Sequence, residues 1–289
     1  MKDLQTPTRR HIYRFRVQEA GWLLNVLAEH LPFSRTHIKK ILNRGAVWIR
    51  RPSRRLRRIR RAKAWVRPGD FLEVYYDPAL EKLQLPTPEL LADHQRFTVW
   101  YKPPGVLSQG TKFGDHTSLL RYATQSLQRP AFLIHRLDRE ASGLLLLAHT
   151  RTAAAALSAL FREHRVQKVY RAEVSGNVTT QLPATGYFDT PIDGKPARTF
   201  YTVDQYDAER DISLLTLTPQ TGRLHQIRRH LAAAGFPIIG DRTYGGIPSP
   251  TGWLHLTAVH LSFRDPETGK VQAFTLPEDK ILWSSPPNT

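Results

Sequence analysis

Hydrophobic and polar positions divide the chain into a short N-terminal region and a long region that follows it. The N-terminal pattern predicts helices over residues 22–28 and 35–43 and strands over 46–49 and 71–76. Pro32 ends the first helix, Ser34 is the expected N-cap of the second, and Gly45 ends the second helix. These elements predict a small α/β domain.

Pro78, Pro86 and Pro88 indicate a linker between the two regions. Beyond the linker, the pattern predicts strands over 97–101, 169–174, 214–217 and 255–263 and helices over 119–127, 153–164 and 226–234. Their irregular order predicts an α+β fold with a mixed, largely antiparallel central sheet flanked by helices, rather than regular βαβ winding. We therefore expect a small domain over 12–77, a linker over 78–94 and a large domain over 95–289.

The chain is strongly basic: it has 42 Lys and Arg against 25 Asp and Glu, giving a net charge of +17. Such an excess attracts polyanions, and nucleic acid is the expected partner. Ten of the positive charges lie between residues 50 and 67: Arg50, Arg51, Arg54, Arg55, Arg57, Arg58, Arg60, Arg61, Lys63 and Arg67. A disordered basic loop without a fixed partner remains an alternative, although Ile59 and Trp65 favour a partly ordered strand or hairpin.

The absence of cysteine excludes disulfides, thiolate nucleophiles and Cys-ligated zinc. The basic N-terminus has no apolar segment typical of a secretory signal. The longest strongly apolar run, residues 144–148, is too short to span a bilayer. We expect a monomeric, cytoplasmic protein that does not enter a membrane.

The segment from His135 to Gly143, His-Arg-Leu-Asp-Arg-Glu-Ala-Ser-Gly, places several charged groups directly before the apolar run Leu144–Ala148. Exposed polar groups supported by a buried strand are typical of catalytic loops. A surface turn with incidental ion pairs is the alternative that the pattern alone leaves open.

Four segments together resemble the RluA-type RNA pseudouridine synthases, in family order from about Phe97 to the C-terminus. They are Lys102-Pro103-Pro104-Gly105-Val106, the His135–Ala148 segment, Lys168–Gly176 and Thr221–Leu231, the last continuing through Gly240-Asp241 and Tyr244-Gly245-Gly246. The resemblance implies the pseudouridine synthase fold and isomerisation of uridine in RNA without a cofactor. The chain departs from the family at Gln109 and Thr257, where many relatives have His, and at Ala141, where Thr is usual.

The resemblance also implies the site. Asp138 matches the catalytic carboxylate, Tyr170 the active-site tyrosine and Arg228 the arginine that pairs with the carboxylate. Asp138 can attack C1′ of the ribose, abstract the 2′ proton or attack C6 of the base, and the sequence does not choose among these routes. The expected substrate-binding residues are His135, Arg136, Arg223, His225, Gln226 and Ile227.

The uridine must leave its stack to reach Asp138, so base flipping is expected. Arg136 matches a family residue that fills the vacated space, and pairing of Arg136 with a phosphate is the alternative. Burial of Asp138 would disfavour its charge, and Arg228 would favour it.

The N-terminal region, about residues 17–74, resembles the S4-type RNA-binding module, except that Arg51-Pro52 replaces the usual Asn-Gly-like turn. We expect phosphate contacts from Arg35, Lys39, Lys40, Arg44, Arg54, Arg55, Arg57, Arg58, Arg60 and Arg61. By analogy, the module favours ribosomal RNA over transfer RNA as the partner.

Other functions remain to be weighed. His135, His225, His230 and Asp138 lack the usual spacing of zinc ligands, so no metal is expected. A non-catalytic RNA- or ribosome-binding protein would share the basic segments. A glycoside hydrolase would share carboxylate chemistry at C1′ but normally needs a second carboxylate, for which Glu140 is a weak candidate.

Overall fold

The computed structural model describes residues 9–281 and residue 283, which form two compact units. The first unit contains residues 9–85 and 109–122, and the second contains 86–108, 123–281 and 283. The division after Leu85 falls inside the segment expected to be a linker. Residues 109–122 fall in the range expected for the large domain, but they join the first unit.

The first unit contains two helices and six strands, most of them short. They are β1 His11–Arg16, β2 Gly21–Trp22, α1 Leu23–His30, α2 Arg35–Arg44, β3 Val47–Arg50, β4 Arg57–Arg58, β5 Trp65–Val66 and β6 Phe71–Tyr76, followed by a 3₁₀ turn, Pro78–Glu81. An antiparallel sheet has the order β1-β6-β3-β4, and β2 pairs with β5. The apolar faces of both helices pack with the sheet into one core.

The ends of α2 confirm the expected capping residues. Ser34 Oγ accepts a hydrogen bond from the backbone N–H of His37 at 3.2 Å. Gly45 has a φ of 76°, a left-handed conformation that favours glycine. β1 was not predicted, because Arg14 and Arg16 make the segment strongly polar. Pairing with β6 nevertheless half-buries Phe15 between them.

Residues 109–122 pack against the basic block of the first unit. Arg58 and Arg60 both donate to one carboxylate oxygen of Asp115, and Arg58 also donates to the carbonyl of Thr111 at 2.6 Å. Arg60 donates to the carbonyl of Asn43 at 2.8 Å. These two arginines therefore share one carboxylate within the protein, so part of their positive charge is balanced there, which the sequence pattern did not indicate.

The second unit is built on one ten-stranded sheet. Its strands are β7 Glu89–Asp93, β8 Phe97–Lys102, β9 Phe132–Leu133, β10 Ser142–Ala148, β11 Val166–Ser175, β12 Thr185–Phe188, β13 Thr199–Asp207, β14 Ile212–Pro219, β15 Leu256–Arg264 and β16 Val271–Thr275. The strand order is β12-β13-β14-β11-β15-β10-β8-β7, with β16 beside β15 and β9 beside β10. Only the β10–β15 pairing, among the described strands, is parallel. The mixed, largely antiparallel sheet is confirmed.

Three further helices are α3 Leu119–Ser126, where the chain passes from the first unit to the second, α4 Arg151–Arg162 and α5 Gln226–Ala233. There are also 3₁₀ turns over Val178–Thr180 and Glu278–Lys280. β7 lies in the segment expected to be a linker, because pairing with β8 outweighs the local proline signal. None of the described helices combines the length and apolar character needed to cross a membrane.

Candidate active site

The loop that carries Asp138 enters β10 through Gly143. Gly143 has a φ of 115°, and a Cβ there would lie 2.3 Å from the carbonyl oxygen of Ala258. A side chain is therefore excluded where β10 and β15 approach each other in parallel. This close approach fixes the end of the loop and explains the glycine before the Leu144–Ala148 run.

Contacts on both sides of Asp138 hold the loop in place. Ser108 Oγ is 2.8 Å from the carbonyl oxygen of Leu137 and 3.0 Å from its amide nitrogen, and it hydrogen-bonds both groups. The backbone N–H of Gly105 donates to the carbonyl of Arg139 at 2.8 Å. The backbone neighbours of Asp138 are thus both tied to the turn that follows β8.

Lys102 is the second support of this loop. Its Nζ donates to the carbonyls of Pro103 and Val106 at 3.1 and 2.8 Å, and reaches that of Arg139 at 3.3 Å. Burial lowers the pKa of Lys102 to about 7, although the charge of Asp138 acts in the opposite direction. The motif Lys-Pro-Pro-Gly was visible in the sequence, but its role as a support for the Asp138 loop required the fold.

Arg228 lies in α5, and its side chain is only 2% exposed. Its Nη1 is 3.6 Å from Asp138 Oδ2 and 3.5 Å from Glu140 Oε2. The carboxylate that it hydrogen-bonds is Asp241, with Nε and Nη2 donating at 2.7 and 2.8 Å. Arg228 therefore lies at ion-pair distance from Asp138, as expected. Its closer, bidentate pair is with Asp241, a residue to which the sequence analysis gave no role.

Arg228 Nη1 is buried without a hydrogen-bond partner among the described residues. Burial disfavours the charged guanidinium, but the hydrogen bonds and charge of Asp241, together with the charges of Asp138 and Glu140, raise the pKa of Arg228. Asp241 in turn accepts the backbone N–H groups of Thr243 and Tyr244 at 3.0 and 3.1 Å. The guanidinium is thus held rigidly, and its Nη1 amino group lies on the side of Asp138.

His225, directly before α5, has a φ of 53°, in the left-handed region. Its Nδ1 is 3.0 Å from the hydroxyl of Tyr244, and its Nε2 is 3.8 Å from Asp138 Oδ1. Asp138 is 18% exposed in its side chain. The carboxylate is therefore flanked by an imidazole and a guanidinium at the base of a partly sheltered cleft.

Gln226 supports the protein rather than presenting a free amide to a ligand. Its Oε1 accepts from Thr221 Oγ1 at 2.6 Å and from the backbone N–H of Arg223 at 3.0 Å. Its Nε2 donates to the carbonyl of Arg198 and to Thr199 Oγ1, both at 2.9 Å. All of its principal hydrogen-bonding groups are used within the protein, so the structure argues against the expected direct substrate contact by this amide.

A cleft of about 690 Å³ opens over Asp138. Its lining includes every predicted catalytic and substrate-binding residue: His135, Arg136, Asp138, Tyr170, Arg223, His225, Gln226, Ile227 and Arg228. Arg136 is exposed, whereas Ile227 belongs to the core under the cleft. The fold therefore brings together residues that lie up to about ninety positions apart in the sequence.

Tyr170 lies in β11, at a register shift between β11 and β15. Such irregularities often occur beside active sites, where they redirect side chains. Burial, and then the charge of Asp138, raises the pKa of Tyr170 above its ordinary value. Its phenol is therefore protonated at neutral pH.

The predicted phosphate-binding residues of the first unit fall into two groups. Arg35, Lys39, Lys40, Arg54, Arg55, Arg57 and Arg61 are exposed. Arg44 instead donates to Glu81 at 2.5 Å, and Arg58 and Arg60 pair with Asp115. Among the residues that the structure describes, no cluster of three or more His, Cys, Asp or Glu side chains could hold a metal ion.

Comparison with known proteins agrees with this architecture. The family model for RNA pseudouridylate synthase matches residues 96–233. An uncharacterized RNA pseudouridine synthase of Aquifex aeolicus is 32% identical over 94% of this chain and 95% of its own. The dual-specificity RNA pseudouridine synthase RluA of Escherichia coli K12 is 33% identical, with coverage of 66% of this chain and 93% of its own.

Solved structures show the same fold. Human RNA pseudouridylate synthase domain containing 4 gives a TM-score of 0.55 at 25% identity over 67% of this chain and 90% of its own. Human RNA pseudouridylate synthase domain containing 1 gives 0.56 at 23% identity over 68% of this chain and 86% of its own. Fold and sequence together define an RNA-modifying isomerase. The chain belongs to the RluA-type RNA pseudouridine synthases and isomerises uridine in RNA to pseudouridine.

Proposed function

We propose that the protein acts on specific uridines of structured RNA, with ribosomal RNA as its substrate, and that Asp138 is its catalytic carboxylate. The observation that carries this proposal is the position of Asp138 within the cleft, 3.6 Å from the buried guanidinium of Arg228. Arg228 is already anchored on Asp241, so its free Nη1 supplies positive charge to Asp138 without needing to reorganise.

In this proposal, the uridine leaves its stack and enters the cleft between Asp138 and Tyr170. Asp138 attacks C1′ or C6, or takes the 2′ proton, and the N1–C1′ bond breaks in each route. The uracil turns while held against Tyr170, and C5 bonds to C1′. Asp138 is released from C1′ or C6, or returns the 2′ proton. The C5 proton is lost and N1 takes up a proton, so the product is an isomer of the substrate. Arg136, exposed at the cleft, fills the space that the base vacated.

The experiment that tests the substrate is a map of pseudouridines in total RNA from cells with and without this gene. We expect one or a few ribosomal RNA positions to revert to uridine in the deleted strain. Loss of pseudouridine only from transfer RNA would contradict the ribosomal assignment. An unchanged map of both RNA classes would contradict the proposed substrate altogether.

The role of Tyr170 can be separated by Tyr170→Phe, which keeps the ring and removes the hydroxyl. Burial, and then the charge of Asp138, raises the pKa of Tyr170, and loss of the Asp138 charge during the reaction would remove only the smaller of these two causes. If the hydroxyl helps to remove the C5 proton, we expect base release to continue in this variant but the final loss of the C5 hydrogen to slow by about 10²-fold. Tritium release from 5-tritiated uridine in RNA measures this step, and wild-type release would remove the hydroxyl from the mechanism.

We further propose that the first unit is an S4-type RNA-binding module whose exposed basic residues contact phosphates. Arg54, Arg55 and Arg57 are exposed, so replacing all three with Gln should lower the slope of log affinity against log salt by about 2. Fluorescence anisotropy with ribosomal RNA fragments measures this slope.

Arg58→Gln provides the contrast, because Arg58 pairs with Asp115 inside the protein. We expect this variant to lower the melting temperature, since a mostly buried carboxylate loses one of its partners. Its effect on the salt slope should be smaller than that of any one exposed arginine. Equal slopes for the triple variant and the wild type would contradict the proposed phosphate contacts.

A further inference from the structure

One cation in the cleft has no role in the chemistry described above. Lys168 lines the cleft from β11, two positions before Tyr170. Within residues 9–281 and 283, no carboxylate forms a salt bridge with it, and burial alone accounts for the lowered pKa of Lys168. A half-buried ammonium without a counter-ion is costly, because it loses water without gaining a negative partner.

His135 provides a neutral donor beside this cation. Its Nε2 accepts the backbone N–H of Leu146 at 3.0 Å, so Nε2 carries no proton. Burial, and then the charge of Lys168, lowers the pKa of His135 to about 3, so the ring is neutral at physiological pH. The proton of a neutral ring must then lie on Nδ1, for which no acceptor is found among the described residues.

Packing fixes the orientation of this imidazole. The ring of His135 stacks on Phe161, with centroids 4.4 Å apart and planes inclined by 13°. The bond from Leu146 opposes rotation of the ring by half a turn, because Cε1–H would then take the place of the accepting Nε2. The cleft therefore contains a fixed neutral N–H group and an unpaired cation close together, a combination suited to an anion.

The position of this pair relative to Tyr170 indicates which anion. Lys168 and Tyr170 both line the cleft despite the register shift between Val169 and Tyr170, and residues two apart on a strand are about 7 Å apart. A nucleotide whose base lies against Tyr170 therefore carries its own backbone to the neighbourhood of Lys168. Arg162 and His164 also line the cleft, so the surroundings favour negative charge.

We propose that Lys168 and His135 bind an RNA backbone phosphate adjacent to the target uridine. The inference rests on the proposed placement of that uridine between Asp138 and Tyr170. The phosphate would provide the counter-ion that the protein lacks and would fix the ribose relative to the carboxylate. A contact of Lys168 with a uracil carbonyl instead of a phosphate is an outcome that the experiment below distinguishes.

The first test compares Lys168→Met with Lys195→Met, which removes the same charge from an exposed turn of the second unit. Both are made in an Asp138→Asn background so that the RNA stays unmodified. The probe is a synthetic stem–loop RNA centred on the uridine mapped in cells. We expect Lys168→Met to weaken RNA binding about tenfold and to lower the slope of log affinity against log salt by about 1. Lys195→Met should change both quantities less. Lys168→Arg should restore most of the affinity.

The second test locates the phosphate by making one linkage at a time neutral. Methylphosphonate replaces each linkage flanking the uridine in turn, with 2′-deoxyribose on its 5′ side for chemical stability. At one of the two linkages, the replacement should weaken binding to the Asp138→Asn protein about tenfold. The same replacement should not further weaken binding to the Asp138→Asn protein that also carries Lys168→Met. Additive losses at both linkages would overturn the proposal in favour of a contact with the base.

The measurements distinguish three cases: loss of stability in Lys168→Met, an error in the proposed function, and an error in the phosphate site alone. Met removes a buried charge, so Lys168→Met should melt no lower than the parent protein. A lower melting temperature would show that Lys168 is a structural support and would overturn the proposal. A wild-type protein that makes no pseudouridine in this RNA contradicts the proposed function. An active wild type with equal effects of Lys168→Met and Lys195→Met contradicts the phosphate site alone.

Discussion

Replacement of Asp138 by Asn is expected to reduce pseudouridine formation by about 10⁴-fold or more, because the change removes the carboxylate that we propose as the nucleophile or essential base. The change is nearly isosteric, and the main hydrogen bonds of Arg228 go to Asp241, so the cleft should keep its shape. RNA affinity should stay within about threefold of the wild type, since phosphate contacts dominate it. Mass spectrometry of digested RNA measures the product, and filter binding measures affinity.

Glu140→Gln is the matched control for Asp138→Asn. Glu140 is 3.5 Å from the same Arg228 Nη1, but its side chain is 51% exposed. It therefore interacts with the same guanidinium while remaining accessible to water. We expect this variant to retain most activity. If Glu140→Gln were as inactive as Asp138→Asn, and the wild type released free uracil, the chemistry would be that of a hydrolase with two carboxylates rather than an isomerase.

The second large effect concerns Arg228, for which the structure changes the choice of variant. Arg228→Ala would leave Asp241 buried without its partner and is expected to cost about 3–5 kcal/mol of stability. Lost activity in that variant could therefore reflect unfolding alone. Arg228→Lys keeps a positive charge but cannot reproduce the bidentate bond and the free Nη1 together.

We expect Arg228→Lys to lower kcat by about 10²–10³-fold, the cost of misplacing one preorganised charge. KM should change little, because the guanidinium is only 2% exposed and is therefore not expected to contact RNA phosphates. Arg229→Lys is the control, since Arg229 is the next residue and pairs with Asp193 at the surface. Near-wild-type kcat in Arg228→Lys would remove Arg228 from the proposed electrostatic role.

A double variant separates stability from chemistry at this pair. Arg228→Met with Asp241→Asn removes both buried charges while the amide oxygen can still accept from Thr243 and Tyr244. Replacing both members of a buried ion pair is often nearly neutral for stability. We expect its melting temperature to approach that of the wild type while its activity stays low. Recovery of activity together with stability would show that Arg228 acts only as a structural residue.

Much of the architecture could be read from local patterns. Ser34 and Gly45 indicated the ends of α2 because capping depends on a few neighbouring residues. The Leu144–Ala148 run indicated a buried strand for the same reason, since burial of every position leaves no polar alternation. The β7 strand was missed because nearby prolines outweighed a short apolar segment whose partner, β8, is what stabilises it.

The site was predicted less completely than the fold. Asp138, Tyr170 and Arg228 were found through motif order, and they line one cleft as expected. Lys102 and Asp241 stood inside quoted motifs, yet no local signal showed that one supports the Asp138 loop and the other anchors Arg228. Gln226 was expected to contact substrate, whereas its amide is occupied by Thr221, Arg223, Arg198 and Thr199.

The sequence by itself determined the family, the reaction class and the excess of positive charge, because these depend on which residues are present and in what order. Only the tertiary structure decided which charges are available. Arg58 pairs with Asp115, 57 positions away, and Arg228 is held by Asp241, 13 positions away. An ion pair depends on a few ångströms of separation and on exclusion of water, and both are set by how distant segments pack.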